Sequence, residues 1–163
     1  MCGAARIGLT AFVAAMTACE APTPYLANNA TPSAAVTESD TLRLETSAPA
    51  EVRAGDPIPI TLRVHNVSGR ALTLHLAGRN LVFDILVHAA NGREVWQRLR
   101  DQAIPAILRI EQMQPDSVLE MSEHWDQRTN DGEAVPPGEY TIEGSLPTDG
   151  EPLVTPSVRV RVR

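Results

Sequence analysis

From Val158 to Arg163 the chain alternates without exception, with Val158, Val160 and Val162 on one side and Arg159, Arg161 and Arg163 on the other. Only an extended backbone puts successive side chains on opposite faces, so this run reads as a strand with one buried and one solvated face. The pattern recurs upstream. Leu42 and Leu44 share a face within Thr41 to Thr46. Ile58, Ile60, Leu62 and Val64 oppose Thr61, Arg63 and His65. Leu72, Leu74 and Leu76 oppose Thr73 and His75 within Ala71 to Ala77. No stretch of residues 41–163 sustains a helical period. Turn residues separate the runs instead: Gly55-Asp56-Pro57, Asn66-Val67-Ser68-Gly69, Gly78-Arg79-Asn80, Asn91-Gly92, Pro115-Asp116-Ser117, Asn130-Asp131-Gly132 and Pro136-Pro137-Gly138. Pro57 and Pro59 suit a strand start or an edge, where a missing N–H costs least.

Further strands are expected over Leu81 to Ala89, interrupted by Asp84 and His88, and over Arg93 to Leu99, carrying Trp96. Ile107 to Ile110 and Val118 to Asp126 follow, the latter with Leu119, Met121 and Trp125 on one face. Tyr140, Ile142 and Gly144 mark another. Asn91-Gly92 between apolar runs predicts a hairpin with a type I′ turn. The total is about eight or nine strands, which predicts an all-β fold, an immunoglobulin-like antiparallel β-sandwich over residues 41–163. A domain of this size buries about two thirds of its extended surface, enough for a core without disulfides. Phe83, Trp96, Trp125 and Tyr140 are expected in that core or at its border. Tyr140, just after Pro-Gly, is placed to form the tyrosine corner of such sandwiches.

The chain has 14 basic and 20 acidic residues, a net charge of -6, and every basic residue is Arg. That balance disfavours nucleic acid or an anionic membrane surface as the main partner. No GxSxG elbow, GxxxxGK[ST] or GxGxxG occurs, so no nucleophile or phosphate cradle is indicated, and no catalytic residue or cofactor is expected. Neither cysteine lies in a CxxC pair. If Asn66 to Arg70 closed a hairpin, His75 would stand about 13 Å along the ribbon from His65, too far for one metal ion. His65, His75 and His88 are therefore expected as solvent-facing strand residues, with His124 on the face opposite Trp125. Glu123 with Asp126, and Asp131 with Glu133, read as solubilising edge charge.

The chain opens with Arg6, an apolar stretch from Ile7 to Ala15, and then Met16-Thr17-Ala18-Cys19. The stretch is too short to span a bilayer and suits the apolar region of a signal peptide. The whole resembles the bacterial lipoprotein signal, with Met16 standing where that signal usually has Leu, Val or Ile. The resemblance implies removal of residues 1–18 and a lipid on Cys19. An ordinary secretory signal is the alternative. Residues 19–40 would then be the lipidated cysteine and a flexible Pro/Ala/Thr-rich tether, spanning on the order of 25 Å. The expected location is the cell envelope, lipid-anchored to a membrane through Cys19, and the outer membrane if there are two, since Glu20 rather than Asp follows the cysteine.

Gly55-Asp56-Pro57, Val64-His65-Asn66 with Ser68, Phe83-Asp84 leading to Asn91-Gly92-Arg93-Glu94-Val95-Trp96, Trp125, and Pro137-Gly138-Glu139-Tyr140 form a set. Over Gly55 to Leu146 this set resembles the intracellular proteinase inhibitor family, the BsuPI-like domain. FDILVHAANGREVW is its most specific piece. The resemblance implies a non-enzymatic domain that inhibits a protease, with a serine protease as the protein partner. The matching landmarks are turn and core residues, and none of them is recognised as a protease contact. A non-inhibitory envelope module for protein–protein binding is the alternative, and the oligomeric state is left open.

An inhibitor presents an exposed, extended segment to a cleft. Two connections are long enough: Arg100 to Ala106, and Gln127 to Pro137. The first places Gln102, Ala103, Ile104 and Pro105 at its tip, and Pro105 biases Ile104 towards extended geometry. An apolar side chain offered in that form suits an apolar-preferring, subtilisin-like cleft. The alternative is that Ile104 caps the open end of the sandwich. The second connection is polar and reads as a solvated link.

Overall fold

The computed structural model describes residues 32–163. Among the described residues twelve strands follow one another: β1 (Pro32–Glu38), β2 (Leu42–Pro49), β3 (Glu51–Val52), β4 (Ile58–Asn66), β5 (Leu72–Ala77), β6 (Asp84–Ala89), β7 (Glu94–Gln97), β8 (Leu108–Met113), β9 (Val118–Trp125), β10 (Gly138–Leu146), β11 (Leu153–Val154) and β12 (Val158–Val162). One sheet runs β1-β2-β4-β9, and the other β3-β12-β10-β6-β7, with β11 beside β10. β5 and β8 form a separate two-stranded ribbon. Every pairing is antiparallel except the short β3–β12 contact. The fold is the expected all-β sandwich. The strands beyond the expected eight or nine include β1 and the two-residue β3 and β11.

The core follows from the alternation. Ile58, Ile60, Leu62 and Val64 of β4 are buried, as are Ile85 and Val87 of β6, Ile142 of β10, and Val158, Val160 and Val162 of β12. Burying each such side chain favours folding by about 1.5–3 kcal/mol. Trp125 and Tyr140 meet edge to face, their ring centres 5.3 Å apart. The Tyr140 hydroxyl donates to the Pro136 carbonyl at 2.5 Å, which is the tyrosine corner. Phe83 is buried, and Trp96 is half-buried against the core.

Three expectations are corrected. The tether reading to Asp40 ends at Pro32, because β1 pairs along its whole length with β2, from Pro32↔Pro49 to Glu38↔Arg43. An edge strand gains its bonds from backbone, so it needs no apolar stripe, and Pro32 stands at its first residue, where proline is tolerated. Residues 19–31 lie outside the described residues. Second, β4 and β5 do not form a hairpin: β4 pairs with β2 and β9, and β5 pairs with β8. Asn66 makes the crossing. It is buried, its Nδ2 faces the carbonyls of Arg70, Met113 and Gln114 at 2.7, 3.0 and 3.0 Å, and its Oδ1 accepts the Ser68 N–H at 3.0 Å. Third, the Asn91-Gly92 hairpin closes through a Gly92 N–H to Ala89 carbonyl bond of 2.8 Å, with positive φ at Gly92 and not at Asn91. That is a turn followed by a left-handed glycine, the three-residue solution rather than type I′. Pro59 stands at the entry of β4, as expected, second in the strand after Ile58. It is tolerated because pairing with β2 begins only at Thr61, leaving that side open at residue 59.

Candidate functional site

The connection from β7 to β8 has a pinned base and a free tip. Every residue from Arg100 to Leu108 is exposed. At the base, Asp84 Oδ1 accepts the Leu99 N–H at 3.0 Å, and Asp84 Oδ2 accepts Gln97 Nε2 at 2.5 Å. The Gln97 N–H donates to Asn130 Oδ1, and Asn130 Nδ2 donates to the Gln97 carbonyl, both at 2.8 Å. The Asn130 amide thus acts as one residue of a missing strand and covers the open edge of β7.

Arg98 is held from three sides. Its guanidinium lies 4.0 Å from the centre of the Phe83 ring. Its Nη1 donates to the Phe83 carbonyl at 2.8 Å, and its Nε to Glu123 Oε2 at 2.7 Å. Glu123 accepts the His124 backbone N–H at 3.0 Å, and that bond, with the Arg98 contact, holds its carboxyl below the usual glutamate range despite partial burial. Glu123 is therefore a structural anion and not the loose edge charge its sequence neighbourhood suggests.

Past Arg98 the chain turns at Asp101, whose φ of 60° is in the left-handed region. Gln102 is the last fixed residue: its N–H donates to the Leu99 carbonyl at 3.0 Å and its Nε2 to the Arg98 carbonyl at 3.1 Å. Among the described residues no hydrogen bond holds the N–H of Ala103 or Ile104. Order resumes where the Ile107 N–H donates to the Pro105 carbonyl and the Ile107 carbonyl accepts from Gly78, both at 2.7 Å. Ile104 is 37% exposed and borders an open groove of about 400 Å³, shared with Asp84, Leu99, Pro147 and Pro152. Of the seven exposed large apolar residues among the described ones, Ile104, Ile107, Leu108 and Ile110 lie in this one segment.

The connection from β9 to β10 differs. Arg128 pairs with Ala134 and the Thr129 N–H donates to the Glu133 carbonyl, closing a small hairpin. Gln127 anchors it: buried, with φ of 56°, it donates to the carbonyls of Arg53 and Asp56 and accepts the Gly55 N–H. Trp125 Nε1 donates to the Arg128 carbonyl at 2.8 Å. Its backbone is spoken for, so it is less suited to extended docking than the first loop.

The remaining expected positions stand as follows. Cys19 lies outside the described residues. His65 and His75 are on different sheets, so the ribbon distance between them does not apply. His65 is half-buried rather than solvent-facing, and among the described residues its Nε2 has no partner. His75 Nδ1 lies 3.1 Å from Asp149 Oδ2. Among the described residues no group of three or more His, Cys, Asp or Glu converges. Sequence reasoning missed Asp84, Arg98, Gln127 and Asn130 as loop anchors. Asp84 alone carried a signal, as a carboxylate set into an apolar strand.

The family model described as BsuPI, intracellular proteinase inhibitor, matches residues 44–151. The chain belongs to this family. The match extends beyond both ends of the landmark segment and takes in both loops. No curated protein matches the chain. Among solved structures, the alkylpurine DNA glycosylase AlkC of Pseudomonas fluorescens aligns with 14% identity and a TM-score of 0.40, over 71% of this chain and 28% of that one. The C-terminal domain of wzt aligns with 10% identity and a TM-score of 0.45, over 71% and 64%. A CARDB domain from Pyrococcus furiosus aligns with 14% identity and a TM-score of 0.40, over 77% and 97%. The chain spans less than two thirds of each of the first two.

Proposed function

We propose that this BsuPI domain is an exported, membrane-anchored inhibitor of a serine protease, non-enzymatic itself, that presents Gln102, Ala103, Ile104 and Pro105 to the protease cleft. The observation that carries the reading is the pinned base with a free, exposed tip. A cleft that binds substrate as an extended strand needs unused backbone groups, and the Ala103 and Ile104 N–H groups are unused within the described residues. Ile104 supplies the apolar side chain, and Ile107, Leu108 and Ile110 continue an apolar strip that suits an apolar-preferring cleft. Anchoring rests on the signal-like order of residues 1–19 and the lipid proposed on Cys19.

The test is inhibition of a panel of serine proteases by the full chain carrying Cys19→Ser, repeated with Ile104→Asp. Inhibition that the substitution abolishes, with the circular dichroism spectrum unchanged, is the expected result. No inhibition at micromolar protein removes the activity. Inhibition that survives Ile104→Asp moves the site to another loop. Anchoring is checked by intact mass of protein from membranes, which should lack residues 1–18 and carry acyl mass on Cys19. The non-inhibitory binding module keeps one specific support, the β8 edge, unpaired among the described residues, with Leu108 and Ile110 exposed at 50% and 61%. Capture of envelope assembly components with no protease among them would favour it.

A further inference from the structure

At Leu99 the Ile104 loop is tied to a carboxylate outside it. Asp84 opens β6, and its Oδ1 accepts two backbone N–H groups, Ile85 at 2.9 Å and Leu99 at 3.0 Å. Its Oδ2 takes Gln97 Nε2 at 2.5 Å. Leu99 passes the constraint on, since its carbonyl accepts the Gln102 N–H at 3.0 Å. The relay Asp84–Leu99–Gln102 stops one residue before the unbonded tip. Two of the three groups that Asp84 holds belong to the chain entering the loop. Hydrogen bonds to a carboxylate are roughly twice as strong as neutral ones, so Asp84, with the Arg98–Glu123 pair beside it, is a firm hold on that side. A loop already held in its bound form loses less entropy in a cleft, which raises affinity without a new contact.

We infer that Asp84 is the positioning residue of the inhibitory loop, acting through Leu99 and Gln102 to keep Ala103 to Pro105 in the extended form a protease receives. This rests on the inhibitor reading above and adds to it the residue that separates an inhibitor from a cleavable substrate. It also gives the Phe83-Asp84 landmark a purpose: Phe83 packs and binds Arg98 while Asp84 holds Leu99, so the pair fixes two consecutive residues at the loop base.

The experiment compares Asp84→Ala, Asp84→Asn and Val162→Ala in the full chain carrying Cys19→Ser, against a protease that the parent chain inhibits. Each is assayed for inhibition constant, melting temperature and cleavage within residues 99–107 by mass spectrometry. Loss of one charge-assisted bond corresponds to a change of about 10- to 100-fold, and Asp84→Ala is expected to weaken inhibition by that factor. The loop should then be cut where the parent loop stays intact. Asp84→Asn keeps a carbonyl acceptor for Leu99 and is expected to weaken inhibition only about fivefold. Val162→Ala, a core change on β12, should lower the melting temperature and leave inhibition unchanged. If Asp84→Ala does not fold, Asp84→Asn decides, together with faster amide exchange at Leu99 and Gln102. Unchanged inhibition in the Asp84 variants overturns the inference and leaves the inhibitor reading standing, as does a loss that Val162→Ala reproduces. A parent chain that inhibits nothing overturns both.

Discussion

Leu62 of β4 occupies the space in front of Gly144 of β10, so that a Cβ placed on Gly144 would overlap the Leu62 side chain. Leu62 packs against bare backbone there, because Gly144 has no side chain. Thr155 shares the position, its Oγ1 accepting the Gly144 N–H at 2.9 Å and lying 2.5 Å from Thr46 Oγ1 of the other sheet. Gly144→Ala is expected to destabilise the domain by about 1–3 kcal/mol through overpacking. Urea denaturation of the variant measures it, and an unchanged midpoint would show that Leu62 can move aside.

Tyr140→Phe removes the hydroxyl bond to Pro136 and keeps the ring contact with Trp125. Burial pushes the Tyr140 phenol above its usual range, so it stays a donor at neutral pH. The expected loss is about 1 kcal/mol, and about 3 if the Pro136 carbonyl finds no water. Thermal unfolding followed by tryptophan fluorescence reads both the loss and any change around Trp125.

Glu123 predicts an acid sensitivity located at the loop base. Its folded pKa lies below the ordinary 4.5 because it accepts the His124 N–H and pairs with Arg98. On acidification the unfolded chain therefore takes up this proton first. The stability it contributes is complete above pH 4.5 and is lost as pH falls through the lower folded value. Glu123→Gln should flatten the decline of stability below pH 4.5 while costing stability at pH 7. Denaturation midpoints for both proteins across pH 3–7, as an approximate range suited to carboxylate titration, check the sign.

Starting the chain at residue 41 would delete β1 and expose the edge of β2. Each edge hydrogen bond nets only about 0.5–1.5 kcal/mol, and the entropy of ordering the seven residues of β1 offsets most of that gain. The expected loss is therefore small, on the order of 1–2 kcal/mol. The larger effect is expected in association, because an unpaired strand edge recruits other chains. Analytical ultracentrifugation of residues 32–163 and 41–163 compares them. Equal, monomeric behaviour would mean that β1 protects nothing.

In β4 and β12 the period-two alternation determined by itself which residues are buried. Val158, Val160 and Val162, or Ile58 to Val64, declare their inner face because burial of a strand residue depends on a property carried by every second side chain. The turns before β6 and β10 and the tyrosine corner were legible for the same local reason, as was the exposure of Ile104. Tertiary structure alone decided which strand lies beside which. Alternation specifies a face and leaves the neighbour open, so β4 could be read as a partner of β5 although Asn66 carries the chain across to another sheet. It also decided that residues 32–38 pair, since backbone hydrogen bonding to a free edge leaves no mark in composition. The loop base needed it most. Asp84 and Leu99 are fifteen residues apart, as are Phe83 and Arg98, and Glu123 and Asn130 come from still later in the chain. Contacts between such distant residues depend on where the fold brings them together, and no local pattern encodes that meeting.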